Sequence, residues 1–194
     1  MQPLQIVLTS RNDIKDFIET HHYSHNINGV ISDYCFKVLN EEGNILAAAI
    51  FGRLAMRGQY KKYSENEEDV IELRRFVAVD ETERNFESYV LSRMFKLLPN
   101  HIKMIVSYSD PHQGHVGTIY KALNFKYLGQ VPAQKVILYQ GKTYHDKSIR
   151  TMYNGKLKPF ALKLRDALQS GEAEYIKVPG KMRYLYTRRL RKQR

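Results

Sequence analysis

The sequence predicts one α/β domain with a central sheet flanked by helices, and three observations predict it. Strand-type runs alternate with amphipathic helical runs along most of the chain. Two of those runs are joined by Asn40-Glu41-Glu42-Gly43-Asn44, where Gly43 supplies the positive φ of a tight hairpin. No internal repeat or low-complexity linker divides the 194 residues, so residues 1–194 read as a single domain with a basic C-terminal segment from about 181 to 194.

Residues 4–8 form a first strand, and Ser10 stands at the N-cap position of a helical turn over 12–20. Residues 35–39 and 45–51 are the two arms of the hairpin. The polar stretch 53–69 is a surface loop and a candidate substrate lip. Residues 70–79 form a longer strand on which Arg74 and Arg75 are adjacent, so regular pleating would point them to opposite faces. The inward one then needs a carboxylate or a ligand anion. A loop over 81–85 leads into an amphipathic helix over 86–98. A strand from Met104 ends in the turn chemistry of Ser107-Tyr108-Ser109-Asp110-Pro111. His112-Gln113-Gly114-His115-Val116-Gly117 then leads to a short helix over 118–123, and residues 125–128 resume extended structure. Further on, 135–140 and 142–145 flank Gly141 as a hairpin, 160–168 is helical, and 183–186 is a final strand.

Composition narrows the function classes. A lone cysteine, Cys35, excludes a disulfide framework and cysteine-rich zinc sites and points to a cytoplasmic, reducing compartment. The N-terminus lacks the pattern of a signal peptide, and no apolar run is long enough to span a bilayer, so no membrane partner is expected. The formal charge of +11 is concentrated: residues 145–194 carry 14 Lys and Arg against 4 Asp and Glu, leaving a net of only +1 over the first 144. Such a field attracts polyanions, above all nucleic acid, although a solvated solubility tail has the same composition. Arg183, Arg188, Arg189, Arg191 and Lys192 are the candidate phosphate contacts. Oligomeric state is not legible, a homodimer being one option.

The order strand, loop, helix, strand, short helix over residues 70–129, ending in Thr118-Ile119-Tyr120-Lys121-Ala122-Leu123-Asn124-Phe125, resembles the core of the GCN5-related N-acetyltransferase (GNAT) superfamily. That resemblance implies a mixed, mostly antiparallel sheet and acetyl-CoA or a related acyl donor. Val77, Val79, Arg84, Asn85, Phe86 and Ser88 would contact the donor, and Tyr120 would protonate the departing thiolate. The loop Arg84-Asn85-Phe86-Glu87-Ser88 lacks the superfamily's glycines, and Asn124 replaces another. Free N–H groups at a helix start can still face an anion, and asparagine tolerates the left-handed conformation.

A narrower set of residues resembles the Mom DNA-modification proteins of phage Mu and related phages. These are His22-Tyr23-Ser24, Glu72-Leu73-Arg74-Arg75-Phe76, Arg84 to Ser88, Ser107-Tyr108-Ser109-Asp110, Gly114 to Tyr120, and Lys181-Met182-Arg183-Tyr184. The resemblance implies transfer of a carbamoylmethyl or acyl-type group to N6 of adenine in DNA, in the host cytoplasm, which makes phage DNA a poor substrate for host restriction. It implies functional roles for His22, Tyr23, Arg75, Ser107, Asp110, His115 and Tyr120, and iron held by His22 and Tyr23. For these histidines a solvated cluster is the plainer alternative. N6 is paired in a duplex, so base flipping is expected, with Tyr23, Tyr60, Tyr63 and Phe86 as candidate stacking rings and Tyr184 and Tyr186 interleaved with basic residues. Two other readings remain at this stage: a conventional acetyl-CoA-dependent N-acetyltransferase acting on a protein, aminoacyl-tRNA or small amine, and a catalytically inert DNA-binding module.

Overall fold

The computed structural model describes residues 3–189. The chain divides into two compact units, the first holding residues up to Ser109, His115–Gly129 and the segment from Met182, the second Asp110–Gly114 and Gln130–Lys181.

The first unit opens with β1 (Gln5–Thr9), a 3-10 turn (Asn12–Ile14) and α1 (Lys15–His21). Ser10 Oγ accepts from the Asp13 N–H at 3.3 Å while Asp13 Oδ2 accepts from the Ser10 N–H at 3.2 Å, a reciprocal cap that starts the helical segment. The hairpin follows as β2 (Tyr34–Leu39) and β3 (Ile45–Gly52), with Gly43 at φ +82°. Then come β4 (Val70–Ala78), α2 (Phe86–Leu97), β5 (Met104–Ser109), α3 (Thr118–Ala122) and β6 (Lys126–Gln130). The second unit holds β7 (Gln134–Tyr139), β8 (Lys142–His145), β9 (Met152–Tyr153), β10 (Lys156–Leu157), α4 (Pro159–Ser170) and β11 (Ala173–Val178). Strand β12 (Met182–Thr187) returns to the first unit.

The main sheet has the order β1-β2-β3-β4-β5-β12-β6. Its β4–β5 pair is parallel, while β1–β2, β2–β3, β3–β4 and β5–β12 are antiparallel. The alternation of β2 and β3 sorts side chains to two faces. Phe36, Val38, Ala47, Ala49 and Phe51 join Phe86, Val90, Leu91, Met94 and Phe95 of α2 in one core, whereas Cys35, Ala48 and Ile50 meet Ile14 and Ile18 on the other face. Phe36, Phe51, Phe95 and Phe125 run edge to face through the larger core at 5.8, 6.1 and 5.9 Å, each contact contributing about 0.5–1.5 kcal/mol beyond burial. The smaller unit has its own three-stranded sheet, β11-β7-β8, with Ile137, Tyr139, Leu164, Ala167 and Ala173 as its core.

Strand β4 departs from regular pleating. Ile50 faces Arg75 while the next residue, Phe51, faces Leu73, so Arg74 is an inserted bulge residue. The insertion shifts the phase of the strand: Leu73 and Phe76 both reach the α2 core, and both arginines leave it. Arg75 lies opposite Ile50 of the α1-side core, and Arg74 pairs with Glu72 at 3.5 Å. The opposite-face placement expected from the sequence is therefore corrected by one extra residue in the ladder.

Candidate functional site

Parallel pairing of β4 with β5 ends at Leu73↔Ser107, although β4 continues along β3 to Ala78 and β5 along β12 to Ser109. The two strands part at that point, and the notch between them is the candidate site. Ser107 lies at its apex, fully buried, with Oγ 2.8 Å from the Tyr120 hydroxyl and 3.2 Å from the Leu73 carbonyl, so its single proton serves one of these acceptors at a time. The Tyr120 hydroxyl in turn donates toward the Tyr108 carbonyl at 3.4 Å. Burial pushes the Tyr120 phenol up to about 12, against the opposing effect of the Ser107 hydrogen bond, so it stays protonated at neutral pH.

Backbone geometry puts Tyr120 there. Gly114 and Gly117 both hold φ +76°, and Gly117 starts α3. A Cβ on Gly117 would come within 2.2 Å of the Tyr184 hydroxyl, which donates to the Val116 carbonyl at 3.2 Å. The Tyr184 ring stacks against Tyr120 at 4.8 Å. Tyr184 is thus a core residue, and Tyr186 packs on Phe95 and Phe125 at 5.1 and 5.2 Å, so neither is the cation-interleaved surface ring suggested by the sequence.

The loop after α1 supplies the next group. Arg11 donates to the Val30 and Ile27 carbonyls, and Glu19 accepts from the Ile27 N–H, which pins this loop to the helix. The rings of His22 and Tyr23 from this loop form a row with His115, which precedes α3, with centroids 4.3 and 5.1 Å apart. His22 is buried, and its Nδ1 accepts from the Ser24 N–H at 3.1 Å and lies 2.8 Å from the Ser24 hydroxyl. Tyr23 and His115 are exposed. His21 instead stacks on Phe17, and His25 Nδ1 contacts the Glu19 carbonyl.

Arg75 is half-buried beside this row. Burial lowers its guanidinium from the ordinary value, with Arg74 acting the same way and Tyr23 and Glu72 opposing it. Its Nη1 donates to the Arg74 carbonyl at 2.7 Å, and its buried Nε has no hydrogen-bond partner. A charge in that condition favours an anionic or carbonyl ligand. Glu72, Tyr108 and Tyr184 complete the surroundings. The sequence alone assigned Glu72 and Tyr108 no site role of their own, although Glu72 stands two residues before the paired arginines on the same strand. Gln59, in the loop over 53–69, donates to the Tyr108 hydroxyl at 3.1 Å, and Tyr60 and Tyr63 of that loop pack against Leu54, Val70 and Val106.

The start of α2 carries the other predicted contacts. Asn85 holds φ +66°, giving the left-handed turn that a glycine would give, and Ser88 Oγ donates to its carbonyl at 3.0 Å. Asn124 likewise sits at φ +59°. Arg84 is exposed, and Val77 packs on the α1-side core while Val79 donates its N–H to the Leu46 carbonyl. Phe86 is buried in the main core, where its side chain anchors the start of α2 rather than lying on the surface.

Other expectations are redistributed. Asp110 belongs to the second unit, where its carboxylate accepts from the His112 N–H at 3.1 Å and pairs with Lys181 at 3.5 Å. Arg188 closes the end of α2, donating to the carbonyls of Leu98, Pro99 and Ile102, and Arg183 donates to the Leu128 carbonyl at 3.3 Å. Arg188 is occupied inside the fold, Arg183 makes that one bond while its buried Nε has no hydrogen-bond partner, Arg189 is exposed, and Arg191 and Lys192 lie outside the described residues. No group of three or more His, Cys, Asp or Glu converges on a metal position among the described residues. No helix of the described residues is long and apolar enough to cross a membrane.

A model of the Mom protein family matches residues 3–194. No curated protein matches the chain by sequence. Among solved structures, a protein of Acinetobacter baylyi ADP1 named as a candidate acetyltransferase is 12% identical, with 97% of this chain and 93% of that one covered and a TM-score of 0.54. A protein named as a candidate phosphinothricin N-acetyltransferase is also 12% identical, with 95% and 98% covered and a TM-score of 0.53. The spermidine N-acetyltransferase of Vibrio cholerae is 10% identical, with 95% and 93% covered and a TM-score of 0.52. These likenesses establish the acetyltransferase fold expected from the sequence.

Proposed function

The chain belongs to the Mom protein family, and from that premise we propose that it transfers a carbamoylmethyl or acyl-type group to N6 of adenine in DNA. One observation carries the reading: the notch where β4 and β5 part holds a protonated Tyr120 and a half-buried Arg75 with an unanswered Nε. An acyl thioester such as acetyl-CoA fits this notch, because the edge of β4 beyond Leu73 no longer pairs with β5 and the left-handed Asn85 opens the start of α2. When bound, it would supply an electrophilic acyl carbon, which accounts for the acyl-type transfer; a carbamoylmethyl group bonds to N6 through its methylene carbon and needs a donor activated at that carbon.

The residues then divide the work. Arg75 Nε and its fork hold the acyl oxygen as negative charge builds on it. The exposed His115 takes the proton that N6 loses as its nitrogen bonds to the acyl carbon, and Tyr23 offers the adenine a ring to stack on. Tyr120 gives its proton to the departing sulfur as the carbon–sulfur bond breaks, and Ser107 orients the Tyr120 hydroxyl. The concentrated positive charge of residues 145–194 favours DNA over a small amine as acceptor.

The test is expression in bacteria followed by mass spectrometry of their DNA nucleosides, with Arg75→Ala as control. Modified adenosine in the wild-type sample and its loss in the variant support the reading. Unmodified adenosine beside abundant folded protein sinks it.

A further inference from the structure

Residues 147–158, Lys147-Ser148-Ile149-Arg150-Thr151-Met152-Tyr153-Asn154-Gly155-Lys156-Leu157-Lys158, carry four cations and no acid. At their centre β9 and β10 form a two-stranded sheet of their own, antiparallel, with Tyr153 opposite Lys156 and Met152 opposite Leu157. Asn154 at φ +48° and Gly155 at φ +74° make the connecting turn, both residues left-handed as a twisted two-residue hairpin requires. Its apolar side chains stay outside: Tyr153 is 70% and Met152 57% exposed, and neither belongs to the core of the second unit. Arg150 is tied to Asp146 at 2.8 Å, which leaves Lys147, Lys156 and Lys158 as its uncommitted cations, none of them in an ion pair among the described residues.

We propose that this hairpin with its basic flanks is the element that engages duplex DNA, with Lys156 of β10, Lys147 before the hairpin and Lys158 after it on phosphates and Met152 and Tyr153 pressed against the base stack. The proposal rests on the adenine-modification reading, since an extruded base leaves a gap that needs an apolar filler. A narrow two-stranded ribbon with a cationic flank and an apolar tip has the shape and charge for a DNA groove. The basic character suits a polyanion rather than an apolar protein partner, which would not call for three uncommitted lysines. Tyr153 beside Lys156 on one face lets a ring meet a base while the ammonium meets the adjoining phosphate.

The full-length protein is titrated with a short duplex that carries fluorescent aminopurine in place of one adenine, at several salt concentrations. Wild-type protein is expected to raise the fluorescence as the base leaves the stack. Met152→Ser with Tyr153→Ser should abolish that rise, weaken binding less than about tenfold and leave the salt slope unchanged. Lys156→Ser with Lys158→Ser should make the slope shallower by about 1.8. Because Met152, Tyr153 and Lys156 lie on a small exposed hairpin and Lys158 is exposed directly after it, where serine also serves as an N-cap of α4, thermal midpoints should match the wild type. If both double variants keep the wild-type fluorescence, affinity and slope, the hairpin is not the DNA-engaging element, even where nucleoside analysis finds modified adenine. If the wild type binds no duplex, the hairpin proposal falls as well. If the duplex is held through the hairpin but no modified adenine forms, the proposal stands and the chemical reading alone fails.

Discussion

Tyr120 is the side chain whose surroundings state its chemistry most directly. Its hydroxyl is held by Ser107 and the Tyr108 carbonyl, and its ring by Tyr184 and Phe125 at 4.8 and 5.2 Å. Tyr120→Phe keeps those ring contacts and removes the acid with its two hydrogen bonds, so turnover should fall by roughly 10²-fold or more while stability falls by only about 1 kcal/mol, as single-turnover rates and urea unfolding would reveal. Two buried acids also set a pH dependence of folding: burial pushes Tyr120 up to about 12 and the Cys35 thiol up to about 11. The unfolded chain loses these protons first, near pH 10 and 8.5 respectively, while the folded chain still holds them. Their stabilisation is therefore complete below the unfolded values and lost as pH rises toward the folded ones. Cys35→Ala should flatten the decline between about pH 9 and 11, by roughly 2 kcal/mol in denaturant titrations. At this scale Ser107 and Tyr120, 13 residues apart, were legible because a family-like block of sequence contains both. Glu72 was not, since a carboxylate beside two arginines reads as an ordinary ion pair until the strand geometry is known.

Elements place those side chains through backbone conformations that the sequence states unevenly. Gly117 could be read from Gly-His-x-Gly as a turn, but its strict need comes from Tyr184, 67 positions along the chain, whose hydroxyl and Cζ would lie 2.2 and 2.4 Å from an added Cβ. Gly117→Ala should cost about 2–3 kcal/mol and displace α3, and Tyr184→Phe should not rescue it because the Cζ clash remains. Urea midpoints of the single and double variants decide this. The bulge at Arg74 was illegible, because a strand of nine residues with adjacent charges fits both regular and bulged ladders. The Asn154-Gly155 hairpin was legible in principle, its dipeptide being a strong turn signal, but its two-residue strands are too short to show alternation. Arg188 was misread through composition: in a basic tail it counts as a surface cation, whereas its fork caps three carbonyls that follow α2. Arg188→Met should lower stability by about 2 kcal/mol while leaving the salt slope of DNA binding unchanged, a pair of readouts that separates a fold-closing arginine from a phosphate contact.

For the molecule as a whole, the question is where a charge of +11 acts. The sequence places it in residues 145–194, but the structure divides that stretch between the second unit, which ends at Lys181, and β12 of the first unit. A deletion made from composition alone, ending the chain near Pro179, would remove β12 and Arg188 together with the tail. It would destroy the sheet order β5-β12-β6, and lost binding would then mean lost folding. Ending the chain after Arg189 removes only Leu190, Arg191, Lys192, Gln193 and Arg194, and so three cations, while keeping every hydrogen bond described for Arg188. If those three cations reach phosphates, the slope of log affinity against log salt should become shallower by up to about 2.7, with thermal midpoint and aminopurine fluorescence unchanged. An unchanged slope would assign the phosphate contacts elsewhere and leave the three terminal cations to solubility. The two charge removals, at the tail and at the hairpin, should add in the slope because they act on separate phosphates, and their sum bounds how much of the affinity is electrostatic.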